Sequence, residues 1–280
     1  MKKEDLRIVF MGTPEFAVET LKALVENGYH VVAVVTQPDK PVGRHGSVLQ
    51  PSAVKQYALE KGLPVLQPEK MKDPVFVEQL RSYQANLQVV VAFRMLPEVV
   101  WAMPEYGTFN VHAALLPQYR GAAPINWAVI NGETQTGVTT FFLDHDIDTG
   151  RIIMQLPFDI PDDADVEYVY DGLMHLGADI CLQTLERIIT AGGHPETVSQ
   201  EDKSLTSHLS PLLILLLKSL RRLVRLTGRR PLSRYMTLFE DLVPTRGHGR
   251  PWSPPTGKKP YLRSSRPGRQ ESPQPQGRVV

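Results

Sequence analysis

Short, wholly apolar runs alternate with helical stretches along the first two-thirds of the chain, and this constrains the fold more than any other feature. Residues 7–11 (RIVFM), 31–36 (VVAVVT), 63–66 and 87–92 (LQVVVA) carry no polar alternation. A strand with one wet face shows period-two patterning, so these runs read as strands of a parallel sheet covered on both sides. Between them, Glu15–Asn27, Pro51–Lys61 and Pro74–Tyr83 show helical spacing, and Gly28 stands where a C-cap glycine ends the first of these. Thr108–His112 reads as a further strand and Pro124–Asn131 as a helix. Gly137–Leu143 and Arg151–Phe158 read as paired strands, and Asp165–Ala191 as one long helix. The pattern predicts an α/β, doubly wound, mostly parallel sheet over about residues 5–195.

That architecture hosts many chemistries. Nicotinamide binding is disfavoured, because the first strand runs into Gly12-Thr13-Pro14-Glu15-Phe16, with one glycine in place of G-x-G-x-x-G. The turn reads as a tight strand-to-helix connection with proline at the helix start. Residues 37–50 (QPDKPVGRHGSVLQ) read as a long Pro/Gly-rich loop, whose Lys40, Arg44 and His45 suit phosphates or simply a solvated surface.

Composition removes other classes. The longest apolar run, Pro211–Leu217, is cut by Lys218 and falls far short of the ~18 residues a membrane span needs. The N-terminus has no leader pattern, which makes a cytoplasmic protein the expectation. The single cysteine, Cys181, excludes an internal disulfide and a Cys-rich metal site, and no metal is expected.

The densest polar signal lies at 110–124, NVHAALLPQYRGAAP. Asn110 and His112 stand two apart at a strand end, so period two turns both to one face. Strand carboxyl ends are where open α/β sheets bind ligands. Downstream, Asp144-His145-Asp146-Ile147-Asp148-Thr149-Gly150 closes another strand with an acidic loop. If the two strand ends are neighbours, an amide, an imidazole and a carboxylate converge. An amide stabilises an oxyanion, an imidazole moves a proton, and a carboxylate orients the ring or accepts a relayed proton. Neither segment offers an obvious Ser or Cys nucleophile, so the trio fits attack by a substrate amine on a carbonyl. The bland reading keeps Asn110 as a cap and Asp148 as an Asx-turn residue.

With D-T-G at 148–150, the string N-V-H-A-A-L-L-P-Q-Y-R-G-A-A-P resembles the folate-dependent formyltransferases. F-M-G-T-P-E-F-A at 10–17 and Q-P-D-K-P-V-G-R at 37–44 narrow the resemblance to the methionyl-tRNA formyltransferases, over about residues 6–200. The resemblance implies a Rossmann-like formyltransferase domain at 1–202, with Asn110, His112 and Asp148 catalytic. It implies contact with 10-formyltetrahydrofolate along Ala114, Leu115, Leu116 and Pro117, where the family usually has Ser in place of Ala114. It places Lys40 and Arg44 near the acceptor end of initiator methionyl-tRNA, and the expected state is a monomer. Formylation of an amino-sugar nucleotide or of glycinamide ribotide is the alternative. A non-catalytic remnant that binds folate or RNA is the other.

Charge divides the chain. Residues 1–202 hold 15 Lys+Arg against 27 Asp+Glu, whereas residues 203–280 hold 16 against 3, with 10 of the 24 prolines. The tail is basic and low in complexity, so it is expected to be largely disordered, and it lacks the pattern of the family's C-terminal β-barrel. Back-translated and shifted by one base, Ile214–Gly228, Tyr235–Trp252 and Thr256–Arg266 each permit barrel-like family sequence, in order and in one frame. Residues 203–280 are therefore expected to be an out-of-frame tail that replaces that domain, with the shift at about residues 203–212.

Overall fold

The computed structural model describes residues 1–42 and 48–200. The expected tail at 203–280 and Arg44 lie outside the described residues. Seven strands form one sheet: β1 (Arg7–Gly12), β2 (His30–Val35), β5 (Val65–Leu66), β6 (Leu87–Val91), β7 (Thr108–His112), β8 (Gln135–Phe142) and β9 (Ile152–Asp159). Their spatial order is β5-β2-β1-β6-β7-β8-β9. The first five are parallel, and β8 runs antiparallel to both β7 and β9. The chain winds outward from β1 in both directions, giving the doubly wound, mostly parallel sheet that the alternation predicts.

Alternation along each strand sorts side chains to the two faces. Ile8 and Phe10 of β1, Leu87 and Val89 of β6, and Phe109 and Val111 of β7 pack on one face. That core also takes in α1 (Glu15–Glu26), α2 (Ala53–Glu60), α5 (Pro124–Ile130) and the long α6 (Val166–Thr190). Val9, Met11 and Val90 face the other way, toward α3 (Pro74–Ser82) and the single turn α4 (Glu98–Trp101). Burying each such side chain contributes about 1.5–3 kcal/mol, which is why strands covered on both sides tolerate no polar alternation. On β7 the α1–α6 face is taken by Phe109 and Val111. Asn110 and His112 therefore project from the opposite face, at the carboxyl end of the strand.

The helix starts follow local chemistry. The Ser52 hydroxyl accepts the Lys55 N–H at 3.1 Å, Asp73 accepts that of Val75 at 2.9 Å, and Asp165 accepts that of Tyr168 at 2.9 Å. Pro14 sits at the N-cap, one residue earlier than a first helical position.

Two elements depart from the sequence reading. Residues 37–50 are more than a loop, because β3 (Lys40–Val42) pairs antiparallel with β4 (Val48–Gln50) as a separate hairpin. Pro41 is tolerated there because a two-stranded ribbon has an outer edge where a missing N–H costs no ladder bond. The α4 turn, which follows Pro97, is the second, a single turn too short to show helical spacing in the sequence. Among the described residues, no helix is long and apolar enough to cross a membrane.

Candidate active site

His112 ends β7 with only 7% of its side chain exposed, and Asp148 comes to it from the loop between β8 and β9. The imidazole Nδ1 lies 3.8 Å from Asp148 Oδ2. Its Nε2 lies 2.9 Å from the Tyr119 carbonyl, and Phe141 meets the ring edge-on. Both ring nitrogens thus face oxygens, with Nε2 at hydrogen-bond distance of the Tyr119 carbonyl and Nδ1 at the longer distance of an ion-pair contact. Asp148 Oδ2 also accepts the Gly121 N–H at 2.7 Å. The two strand ends are not neighbours, because antiparallel β8 ends beside the start of β7, but the 143–151 loop runs back so that Asp148 meets His112 and the 113–123 loop.

Asn110 stands one same-face position before His112. Its Oδ1 is buried and has no hydrogen-bond partner. A terminal amide turns over by 180° at little steric cost, so either its donor or its acceptor end can face a ligand. Two other buried polar atoms without partners lie nearby in the topology, Thr13 Oγ1 just past β1 and Arg94 Nε just past β6. β1, β6 and β7 are parallel neighbours, so the three residues belong to the carboxyl-terminal halves of adjacent strands or to the segments that follow them. Orphaned buried polar groups cost about 1–3 kcal/mol each, so these three are open to a ligand; among the described residues Thr20 Oγ1, Tyr57 Oη, Gln88 Nε2 and Thr136 Oγ1 are likewise unpartnered, elsewhere in the fold.

Backbone strain gathers in the same place. Among the described residues five non-glycine residues have left-handed φ: Ala92 (45°) follows β6, Tyr119 (59°) and Ala123 (55°) follow β7, Asp148 (54°) lies in the β8–β9 loop that reaches His112, and Gln84 (52°) lies elsewhere. Such conformations persist where surrounding contacts over-determine them. Tyr119 shows how: its hydroxyl donates to Glu133 and accepts from Asn131 Nδ2 at 3.0 Å. Burial, together with Glu133, pushes the phenol's pKa well above its usual range. With the ring fixed, the Tyr119 carbonyl is fixed against His112. Gly150 serves the other loop by close approach, since a Cβ there would lie 1.7 Å from the Phe142 carbonyl oxygen.

The 114–117 stretch is clamped from below. Thr139 Oγ1 donates to the Ala114 carbonyl (2.6 Å) and accepts the Leu116 N–H (3.1 Å). Gln155 Nε2 reaches the Leu116 carbonyl (2.8 Å) and Thr139 Oγ1 (2.9 Å). Ala114 and Leu116 are buried, whereas Leu115 and Pro117 remain partly open, and the Leu116–Pro117 peptide is cis. At Ala114 a methyl sits fully enclosed where the resemblance expects serine. Lys40 opens β3, away from the 113–123 and 143–151 loops in the chain. Among the described residues no group of three His, Cys, Asp or Glu is placed to hold a metal ion.

Sequence reasoning missed the groups that hold the trio. The Tyr119 carbonyl and the Gly121 N–H are backbone atoms, so no residue letter announces them. Arg94 had a usable signal, an arginine two residues beyond an apolar strand. Its Nη atoms donate to the Pro68 and Glu69 carbonyls, and burial lowers its pKa.

Known proteins share both sequence and architecture with this chain. The methionyl-tRNA formyltransferase of Parabacteroides distasonis is 67% identical over 202 residues, covering 72% of this chain and 62% of that protein. This chain thus spans under two-thirds of that relative's length. Among solved structures, the phosphoribosylglycinamide formyltransferase from Streptococcus pneumoniae superposes with a TM-score of 0.56 at 19% identity, covering 66% of this chain and 99% of that one. An N-formyltransferase from Helicobacter canadensis, in complex with folinic acid and dTDP-3-aminofucose, gives 0.54 at 23% identity, covering 74% and 71%. At these identities the structural likeness establishes the fold. Residues 6–185 match the formyl transferase family across the sheet, the trio and most of α6, and the chain belongs to that family.

Proposed function

We propose that this chain, a cytoplasmic monomer, transfers the formyl group of 10-formyltetrahydrofolate to the amino group of initiator methionyl-tRNA. The observation that carries the reading is the buried, unpartnered Asn110 terminus beside a histidine whose ring nitrogens both face oxygens. The relative from Parabacteroides distasonis supports the choice of substrate.

The methionyl amine attacks the formyl carbon, and the carbonyl π pair moves onto oxygen. Asn110 donates to the oxygen where that charge develops, and a protonated His112 stabilises it by its charge. Nδ1, which is 3.8 Å from Asp148 and not hydrogen-bonded to it, is the nitrogen that can turn to the oxyanion. One such donor is typically worth roughly 100- to 1000-fold in rate. Asp148 takes the proton that the attacking nitrogen gives up, directly or through a water. Cleavage of the bond between the formyl carbon and the folate nitrogen then completes the transfer, and that nitrogen takes up a proton. The segments bearing Thr13, Arg94 and Asn110 suit the co-substrate, with Leu115 and Pro117 as its partly open apolar contacts and Ala114 and Leu116 supporting them from behind. Lys40 and Arg44 would meet phosphates of the tRNA acceptor end. Residues 1–202 form the catalytic domain, and residues 203–280 an out-of-frame tail in place of the barrel. Resequencing the DNA across codons 203–212 tests that assignment.

The functional test offers the purified chain 10-formyltetrahydrofolate with charged initiator tRNA, an amino-sugar nucleotide or glycinamide ribotide. Formyl-methionyl-tRNA as the main product supports the proposal. Transfer to another amine alone overturns the substrate. Formate release without transfer overturns the reaction class.

A further inference from the structure

The turn that carries Asp148 is held by a residue beyond the stretch that matches the family, which ends at residue 185. After α6 the chain returns along the outer edge of the sheet. Val198 exchanges both backbone hydrogen bonds with Ile152, at 2.8 and 2.9 Å. Arg151 forks onto Thr197, with Nε to the hydroxyl at 2.7 Å and Nη2 to the carbonyl at 2.8 Å. These contacts deliver Gln200, 2% exposed, into the turn. Its Nε2 donates to the carbonyls of Asp148 (2.9 Å) and Gly150 (2.7 Å). Its Oε1 accepts both Nε (2.9 Å) and Nη2 (2.7 Å) of Arg120.

A primary amide has two donor hydrogens and two acceptor lone pairs, and here all four are used. The partners are not arbitrary. Asp148 is the left-handed residue whose carboxylate faces His112, and Gly150 ends the same turn. Arg120 lies between Tyr119 and Gly121, whose backbone atoms hold His112 and Asp148. One buried side chain thus binds both loops at the points where they touch the trio. A clasp meant only to fasten the segment after α6 would not need to engage the Asp148 carbonyl, because Val198 and Thr197 already fasten it.

We infer that Gln200 is a positioning residue for acyl transfer: by tying the 143–151 loop to the 113–123 loop it sets the Asp148 carboxylate against His112. The inference rests on the formyl-transfer reading. Its test uses the full chain with Gln200→Glu, which keeps the shape and the acceptors for Arg120 but turns both donors into acceptors facing carbonyls. Gln200→Met fills similar space without polar atoms. Misplacing a reacting group by about 1 Å costs on the order of 100-fold, so both variants should lose roughly 10- to 100-fold in kcat with KM for 10-formyltetrahydrofolate unchanged. Amide exchange should quicken at Gly121 while β1 and β6 keep their protection. Wild-type kcat in both variants overturns the inference, as does a loss of kcat without a change at Gly121. A rise in KM together with lower protection across the whole sheet also overturns it, since that reports general loosening. Should the wild-type chain transfer formyl to no amine, the functional reading fails, and Gly121 exchange alone then decides whether Gln200 holds the turn.

Discussion

The loop at 113–123 and the β3–β4 hairpin both lie outside the seven-stranded sheet, and they are held in opposite ways. The loop is fastened along its whole length. Thr139 and Gln155 grip its start, Glu133 and Asn131 grip Tyr119, and Asp148 grips Gly121. It also contains Tyr119, Gly121 and Ala123 with φ of 59°, 88° and 55°. The hairpin is fastened at its root, where Asp39 accepts Lys55 Nζ at 2.6 Å and Gln67 Nε2 at 2.7 Å. Beyond the root, Val48 and Leu49 are 59% and 64% exposed. A small acyl group needs its partners placed to within tenths of an ångström, and that takes redundant contacts. On the proposed function the hairpin would meet a large polyanion, which is recognised by charge over a wide surface, so that an anchored ribbon suffices.

The harshest test of this contrast is Asp148→Asn. The amide oxygen can still accept the Gly121 N–H, so the fold should survive with an unchanged melting temperature. What is lost is the carboxylate proposed as proton acceptor, and on that proposal kcat should fall by roughly 100- to 10,000-fold. Turnover close to wild type would remove Asp148 from the chemistry and leave it a turn residue. Lys40→Ala on the hairpin should leave kcat intact. It should weaken tRNA binding with a salt dependence shallower by ~0.7–0.9 in the log–log slope. A change in kcat there would erase the division of labour.

Next in size is Thr139→Val, which tests whether the clamp on the 114–117 stretch is as tight as its geometry says. Valine keeps the volume but orphans the Leu116 N–H and leaves the Ala114 carbonyl without its donor, in a buried setting. Chemical denaturation should show a loss of about 2–3 kcal/mol. Thr139→Ser should recover most of it. A loss under about 0.5 kcal/mol would mean that the loop tolerates slack there, and its likeness to the hairpin would grow.

The two regions also differ in how far the sequence discloses them. The sheet was legible because Val31–Val35 and Leu87–Val91 are buried on both faces, and such strands cannot be written in another pattern. Asn110 and His112 were legible because period two is rigid geometry. The hairpin was not, since Lys40-Pro41-Val42 and Val48-Leu49-Gln50 are too short to show a period. Their anchor, Asp39 with Lys55 and Gln67, spans up to 28 residues. The supports of the trio were least legible. Gly121 and Tyr119 act through backbone atoms, and Gln200 acts on Asp148 and Arg120 from 52 and 80 residues away. Pairing across such gaps is decided by the completed fold and by no local preference.

The gentlest test concerns the hairpin root. The bond from Lys55, then that from Gln67, holds the Asp39 carboxyl below the ordinary aspartate range. A folded-state value below the unfolded one means that the folded form prefers the ionised group. The stabilisation is therefore complete above the ordinary aspartate value of about 4 and fades as pH falls through the lower folded one. Amide exchange at Lys40 and Val42, corrected for intrinsic rate, should stay flat from pH 8 down to about pH 5 and quicken only in stronger acid. Asp39→Asn, which cannot ionise, should show quickened exchange at neutral pH and no further acid step. Exchange in the 113–123 loop should not respond, because Asp39 is bonded to none of its residues. If that loop loosens together with the hairpin root, the two regions form one mechanical unit, and the contrast in how they are held gives way to a coupling between recognition and chemistry.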